Sequence, residues 1–258
     1  GFHPDNPPLF ALGHDLRPGQ LLIGRNICTG TPGQLIGLVE GTNIPDHVAI
    51  WGTTRSGKTT LTKYLVVQAI KRGEIAFILA RDREWRDILA LFPPEVLLYM
   101  VPADLMLNPL EIAVKADGTL AMSPIEWIGK NKLIFRSSVY IRETGSNILG
   151  EVLKELYAKK GVFQGKRDYP ALYELKEAVS NKSVGKGRRL NEGKDSLLNR
   201  IDMLLDFLGE GMNVTRGRNV HQLFSRSILL DVSDMEDETY MFLFNYLSVL
   251  LKASFLEE

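Results

Sequence analysis

Two kinds of apolar spacing divide the chain. In its first and last parts, short unbroken apolar runs alternate with segments of helical period. Ile75-Ala76-Phe77-Ile78-Leu79-Ala80, Val96-Leu97-Leu98-Tyr99-Met100-Val101 and Ser227-Ile228-Leu229-Leu230-Asp231-Val232 read as strands buried on both faces, with little polar alternation because neither side meets water. His47-Val48-Ala49-Ile50-Trp51 is a fourth such run. Lys58 to Arg72 carries apolar residues at Leu61, Leu65, Val66 and Ile70 and stops before Gly73, the pattern of a helix closed by glycine. Trp85 to Leu91 is a shorter helical pattern ended by Pro93-Pro94. Strands alternating with helices predict an α/β fold with a mainly parallel sheet flanked by helices.

From residue 119 to 221 the spacing is helical alone. Ser123-Pro124-Ile125-Glu126 is a capping box with proline at the first helical position. Ile148, Leu149, Val152, Leu153 and Leu156 form one apolar stripe, and Leu197, Leu198, Ile201, Leu204, Leu205 and Leu208 form another. Between them Tyr169-Pro170-Ala171-Leu172 opens a short helix. Ser233, with Glu236 three residues on, is read as the cap of a last amphipathic helix over roughly 239–255. The organisation predicted is one domain over 1–258: an extended, proline-containing arm at 1–20, an α/β core at 21–118 and 222–258, and an all-helical insertion at 119–221. Short strands at Leu21–Ile23 and Leu35–Val39 open the core.

Between the fourth apolar run and the helix at Lys58 stands Gly52-Thr53-Thr54-Arg55-Ser56-Gly57-Lys58-Thr59, a complete G-x-x-x-x-G-K-[ST]. Strand, loop and helix in that order are the setting this motif needs to bind a nucleoside triphosphate. Gly52 and Gly57 let the backbone curl so that N–H groups of residues 52–60, Thr60 included, point at phosphate oxygens. The helix adds its unpaired N-terminal N–H groups and dipole. Lys58 supplies a mobile charge for the β- and γ-phosphates, and the Thr59 hydroxyl suits a Mg²⁺ ligand. ATP and Mg²⁺ are the expected ligands.

Charge narrows the partners little: 31 Lys and Arg balance 31 Asp and Glu, so attraction to nucleic acid must come from a local patch. The single cysteine, Cys28, excludes an internal disulfide and fits a reducing, cytoplasmic setting. No apolar run reaches the ~20 residues that span a bilayer, and no signal peptide is visible, so membrane insertion is not expected. Gly1 in place of methionine, and an end at Glu258 just after an apolar helix, read as cut ends.

Order along the chain then brings out a likeness. The run His47-Val48-Ala49-Ile50 into Gly52, the segment Glu84-Trp85-Arg86-Asp87-Ile88-Leu89, the triplet Asn108-Pro109-Leu110, and Ile228-Leu229-Leu230-Asp231-Val232-Ser233 together resemble the HerA–FtsK superfamily of P-loop motor ATPases. Within it the chain is most similar to HerA-type helicases and translocases and to conjugation and type IV secretion ATPases. The resemblance implies a ring, commonly a hexamer, that moves double-stranded DNA with ATP, with nucleotide between subunits; a single truncated domain would be monomeric. Departures are specific. Arg55 stands where the family usually has glycine, Ala80-Arg81-Asp82-Arg83-Glu84 replaces a pattern led by aspartate, and Val232 follows Asp231 where a catalytic glutamate belongs. The resemblance implies that the catalytic acid pair lies on a further strand beyond Glu258, so that this chain binds nucleotide and hydrolyses it poorly.

Other candidates carry two readings each. Asp231 is a Mg²⁺ ligand at a strand end or a turn and helix cap. Glu84 orients water or simply sits at a helix start favoured by the dipole. The Lys182–Arg200 segment, with Lys182, Lys186, Arg188, Arg189, Lys194 and Arg200, is a DNA-contacting loop or a solvated surface; it has no aromatic residue to stack a base. Arg216 and Arg218 are trans-acting fingers or surface arginines. His3, His14, His47 and His221 lack metal-ligand spacing. A small-molecule kinase and a regulatory nucleotide-binding module without turnover are the rivals to a motor; apolar stripes in the insertion suit packing better than a kinase lid.

Overall fold

The computed structural model describes residues 21–25, 35–38, 49–185 and 187–255. The arm at 1–20, Cys28, His47, Val48 and Lys186 lie outside the described residues. The chain divides into two units, residues 1–76 with 90–92, and residues 77–89 with 93–258.

In the first unit β1 (Leu21–Arg25) and β2 (Leu35–Leu38) pair antiparallel, Leu21 opposite Leu38 and Arg25 opposite Leu35, with a register shift between Leu22 and Gly24. Helix α1 (Lys58–Lys71) buries Leu65 and Ile70. It closes as its pattern predicts: Gly73 takes a left-handed φ of 88°, and the Glu74 N–H donates to the Ala69 carbonyl at 3.1 Å. The strand predicted before the phosphate loop is not formed over Ala49–Trp51, and Trp51 is 89% exposed. A strand needs a neighbour to satisfy its N–H and C=O groups, and among the described residues none pairs with these three.

The second unit is built on a parallel sheet. Its strands are β3 (Phe77–Ala80), β4 (Leu97–Met100) and β5 (Ser227–Asp231), in the spatial order β3-β5-β4, with Ala80 opposite Asp231 and Met100 opposite Leu230. All of β5 is buried, and its centre, Ile228-Leu229-Leu230, is apolar without alternation. Residues Arg83–Leu91, predicted as helical from Trp85, instead wind as a 3₁₀ helix. Three residues per turn stacks side chains at i and i+3, so Arg83 and Arg86 share one side. Both pair with acids at the end of β5 (Asp231) and in the turn that follows it (Asp234), and this rewards the tighter winding.

Helices α2 (Pro124–Ser138), α3 (Glu143–Lys160), α4 (Leu172–Asn181), α5 (Arg188–Leu208), the short α6 (Val220–Leu223) and α7 (Asp237–Phe255) complete the unit. Trp127, Phe135, Leu149, Leu153, Leu204, Phe242 and Tyr246 are among its buried residues, and Phe135 meets Phe242 edge-on at 5.2 Å. The Ser123 capping box forms: Ser123 Oγ accepts from the Glu126 N–H (3.3 Å) and Glu126 Oε2 from the Ser123 N–H (2.8 Å). The second predicted cap does not. Helix α7 starts at Asp237, leaving Ser233 in the turn before it, while Asp237 and Glu238 occupy the first turn where the helix dipole favours acids. Among the described residues no helix is long and apolar enough to cross a membrane.

Candidate nucleotide-binding site

Residues 52–60 lie together at the start of α1, and residues 51–57 are all exposed. Of the described non-glycine residues only Arg55 (φ 64°), Met106 and Tyr140 have positive φ, and Gly57 has φ 85°. The sign of φ therefore alternates from Thr54 through Lys58. Alternation of this kind turns successive N–H groups to one side and makes a concavity that holds anions. Arg55 occupies a backbone region that glycine enters freely and that costs other residues about 1–2 kcal/mol. The loop thus keeps its shape despite the residue, and not because of it.

Tightness at the other end explains Gly52. A Cβ there would stand 2.5 Å from the Ser56 Oγ. The Ser56 N–H closes the turn on the Thr53 carbonyl at 3.2 Å. Gly57 caps α1 with no side-chain bond, and the first turn of the helix carries no acid, so nothing negative competes for its N–H groups. Lys58 reaches back across the loop and donates from Nζ to the Thr53 carbonyl at 2.7 Å. A cation held over a concavity of N–H groups, with the Thr59 hydroxyl beside it in the chain, is a donor set suited to a polyphosphate and its Mg²⁺.

Glu84 and Asp231 belong to the second unit. Asp231 ends β5, and its side chain is only 4% exposed. Its Oδ2 accepts from Arg86 Nε (2.7 Å), Arg86 Nη2 (2.6 Å) and Tyr99 Oη (3.1 Å), and its Oδ1 from the Ser233 N–H (3.0 Å). Burial alone would raise this carboxyl, but the bonds from Ser233, Arg86 and Tyr99 outweigh it and hold the pKa at about 2. Burial and the bond to Asp231 push the Tyr99 phenol upward in turn. A carboxylate offers about four acceptor sites; here three donors crowd Oδ2 and the Ser233 N–H takes one site of Oδ1. The carboxylate turns the chain at Ser233 and neutralises Arg86. Arg83 pairs with Asp234 at 2.6 Å, and Arg81 pairs with Asp237 at 2.7 Å while lying 4.5 Å from the Tyr240 ring centroid. Glu84 lies exposed in the first turn of the 3₁₀ stretch.

Arg86 and Tyr99 escaped sequence reasoning. They stand 145 and 132 positions from Asp231, and no local signal links them. The basic segment is helical from Arg188 onward and largely self-satisfied: Lys182 pairs with Glu151 and Glu155, Arg188 with Glu192, Arg200 with Glu238, and Lys194 donates to the Ser180 and Lys182 carbonyls.

A parallel sheet flanked by helices, together with a G-x-x-x-x-G-K-T loop opening a helix, defines a mixed α/β fold of the P-loop NTPase type. The solved structure of VirB4 of Thermoanaerobacter pseudethanolicus matches it with a TM-score of 0.62 at 17% identity, covering 91% of this chain. This chain spans 63% of that one. The likeness is one of fold. No protein-family model matches the sequence, and no curated protein matches it.

Proposed function

We propose that the chain is the nucleotide-binding part of an ATP-driven motor of the type IV secretion and conjugation kind, to which VirB4 belongs. The observation that carries this reading is the loop itself: φ alternates in sign from Thr54 to Lys58, and Lys58 Nζ lies across the loop on the Thr53 carbonyl. The likeness in fold to VirB4 supports the secretion and conjugation reading, and a HerA-type helicase or translocase is the second reading. Double-stranded DNA as cargo and a hexameric ring belong to the same proposal.

In this reading ATP is the substrate, and the N–H groups of residues 52–60 hold its phosphates. Lys58 exchanges the Thr53 carbonyl for phosphate oxygen, keeping its charge against the group that gains charge in transfer. Thr59 would offer its hydroxyl to Mg²⁺, which would supply Lewis-acid charge to the triphosphate. Asp231, buried and engaged by Arg86, Tyr99 and Ser233, contributes to the fold and not to the metal.

Titration with a fluorescent ATP analogue tests this. Lys58→Ala abolishes binding, because the loop loses its mobile counter-charge, whereas Thr59→Ala keeps binding in EDTA and loses the gain from added Mg²⁺. Unchanged affinity in Lys58→Ala would remove the site from residues 52–60.

A further inference from the structure

The second unit contains a cavity of about 390 Å³. Its walls come from segments far apart in sequence, and Asn108 pins them together. Asn108, 2% exposed, donates from Nδ2 to the carbonyls of Pro170 (3.0 Å) and Thr215 (3.2 Å). Its Oδ1 accepts from the Leu110 N–H at 2.9 Å, and its carbonyl accepts from Tyr246 Oη at 3.2 Å. The Asn-Pro-Leu triplet is thus a staple between the chain at 108–111, the chain just after Arg167 and Tyr169, and the chain just before Arg216 and Arg218.

What the staple gathers is unusual chemistry for a structural pocket. Arg167, Arg216, Arg218 and Lys115 line the cavity together with a single carboxylate, Glu111. Glu111 Oε2 accepts from the Gly217 N–H at 2.7 Å, and Arg167 donates to the Gly118 carbonyl at 2.6 Å. Arg216 and Arg218 form no ion pair within 4.0 Å among the described residues. Tyr169, 2% exposed, also lines the cavity, and its Oη has no hydrogen-bond partner. Folded proteins seldom leave a buried hydroxyl in that condition. Burial pushes the Glu111 carboxyl upward, against the Gly217 N–H and the nearby arginines.

Four cations around one carboxylate select an anion, and guanidinium forks fit the oxygens of phosphate. A phosphate monoester carries −1.5 to −2 charges near neutral pH, which matches this excess better than one carboxylate would. Glu111 Oε2 already holds the Gly217 N–H, and an alcohol hydroxyl elsewhere on the ligand can donate to the same carboxylate while the phosphate stays with the arginines. Ile112 and Leu250 add apolar wall, and the volume lies within the range of small-ligand sites. We propose that this cavity binds a phosphate monoester of a small hydroxyl-bearing molecule, of sugar-phosphate to mononucleotide size. Arg167, Arg216 and Arg218 take the phosphate, and Glu111 takes a hydroxyl.

The test is calorimetry on Lys58→Ala protein in EDTA, which silences the phosphate loop, so this site and the ATP site can fail separately. The probes are ribose 5-phosphate, AMP and inorganic phosphate. Both esters saturate the protein below about 1 mM, and inorganic phosphate binds at least about tenfold more weakly, because it has no second group to reach Glu111 while its oxygens meet the arginines. Arg216→Ala combined with Arg218→Ala, two exposed positions, weakens the esters by roughly tenfold to a hundredfold. Tyr169→Phe removes only the unpartnered, inaccessible hydroxyl: it leaves ester affinity within about twofold and the melting temperature unchanged or higher. The tighter of the two esters tells sugar phosphate from nucleotide. Absence of saturable binding of either ester at about 10 mM, ester binding no tighter than that of inorganic phosphate, or affinity unmoved by the arginine changes overturns the proposal.

Discussion

Asp231→Asn keeps the shape of the side chain at the end of β5 but removes its charge and one of its two acceptor oxygens. Four donors converge there: Arg86 Nε at 2.7 Å, Arg86 Nη2 at 2.6 Å, Tyr99 Oη at 3.1 Å and the Ser233 N–H at 3.0 Å. An amide has a single acceptor oxygen. Whichever way it turns, its NH₂ faces a donor, either the guanidinium and phenol or the Ser233 amide. Bonds to a charged group contribute roughly 1.5–3 kcal/mol. The carboxyl offers a second measure, since a fall from 3.8 to about 2 corresponds to about 2.5 kcal/mol. Arg86 is 45% exposed, so solvent screens part of this, and the expected loss at pH 7 is about 1–2 kcal/mol.

The pH dependence has a definite sign. A carboxyl whose folded pKa lies below its unfolded one stabilises the fold above the unfolded value and loses that contribution as pH falls toward the folded one. The advantage of the native chain over Asp231→Asn is therefore full at pH 7, roughly halved near pH 3 and nearly gone at pH 2. Urea unfolding followed by the fluorescence of Trp127, which is 0% exposed, measures it in a background with Trp51 and Trp85 replaced by phenylalanine. Other acids titrate in both proteins and cancel in the difference. Equal stability at pH 7, or a gap that fails to shrink between pH 7 and pH 3, refutes the clamp.

The same Asp231→Asn protein keeps its Mg²⁺-dependent ATP affinity within about threefold, because the carboxylate is buried and engaged by Arg86, Tyr99 and Ser233; a loss beyond tenfold in a folded variant would reassign Asp231 as a metal ligand. Arg55→Gly retains ATP binding while Arg55→Val loses most of it, since a branched side chain at φ 64° is a true steric outlier. Equal affinities across Arg55, Gly and Val would show that the loop does not depend on this backbone conformation. The chain as given releases phosphate from ATP more slowly than about 10⁻² s⁻¹, because Val232 and not a second acid follows Asp231. A steady-state phosphate-release assay checks this, and robust turnover would make Glu84 and Asp231 the first residues to replace.

What could be read along the chain was whatever depends on neighbours in the chain. The Ser123–Glu126 cap, the stop at Gly73 and the phosphate loop each need fewer than ten consecutive residues, and all three stand where the pattern puts them. The continuous apolar run of β5 was legible for a different reason, since burial on both faces leaves a composition signal of its own. The misreadings have two causes. The stretch after β3 winds as a 3₁₀ helix with its arginines facing acids about 150 positions away, and Ser233 was read as a cap because the four-residue pattern was right while the helix began later. Long-range partners decided the first, and the Asp231 turn at Ser233 the second.

The two candidate groups differ in the same way. A phosphate loop works mostly with backbone N–H groups, so the residues that shape it are adjacent and their meaning survives in the sequence. A carboxylate takes its role from whatever faces it. Asp231 at a strand end reads as a metal ligand or a cap along the chain, and Arg86 and Tyr99 set against it add the clamp that no local pattern shows. Arg81 and Arg83 do the same to Asp237 and Asp234, although those pairs are exposed and contribute little to stability. Three acids near the C-terminal end of the sheet are thus matched by three arginines from the segment after β3. Affinity for ATP, carried by residues 52–60, is accordingly separable from the integrity of the sheet edge, carried by Asp231: changes at Lys58 should move binding without moving the Trp127 unfolding curve, and changes at Asp231 should do the reverse.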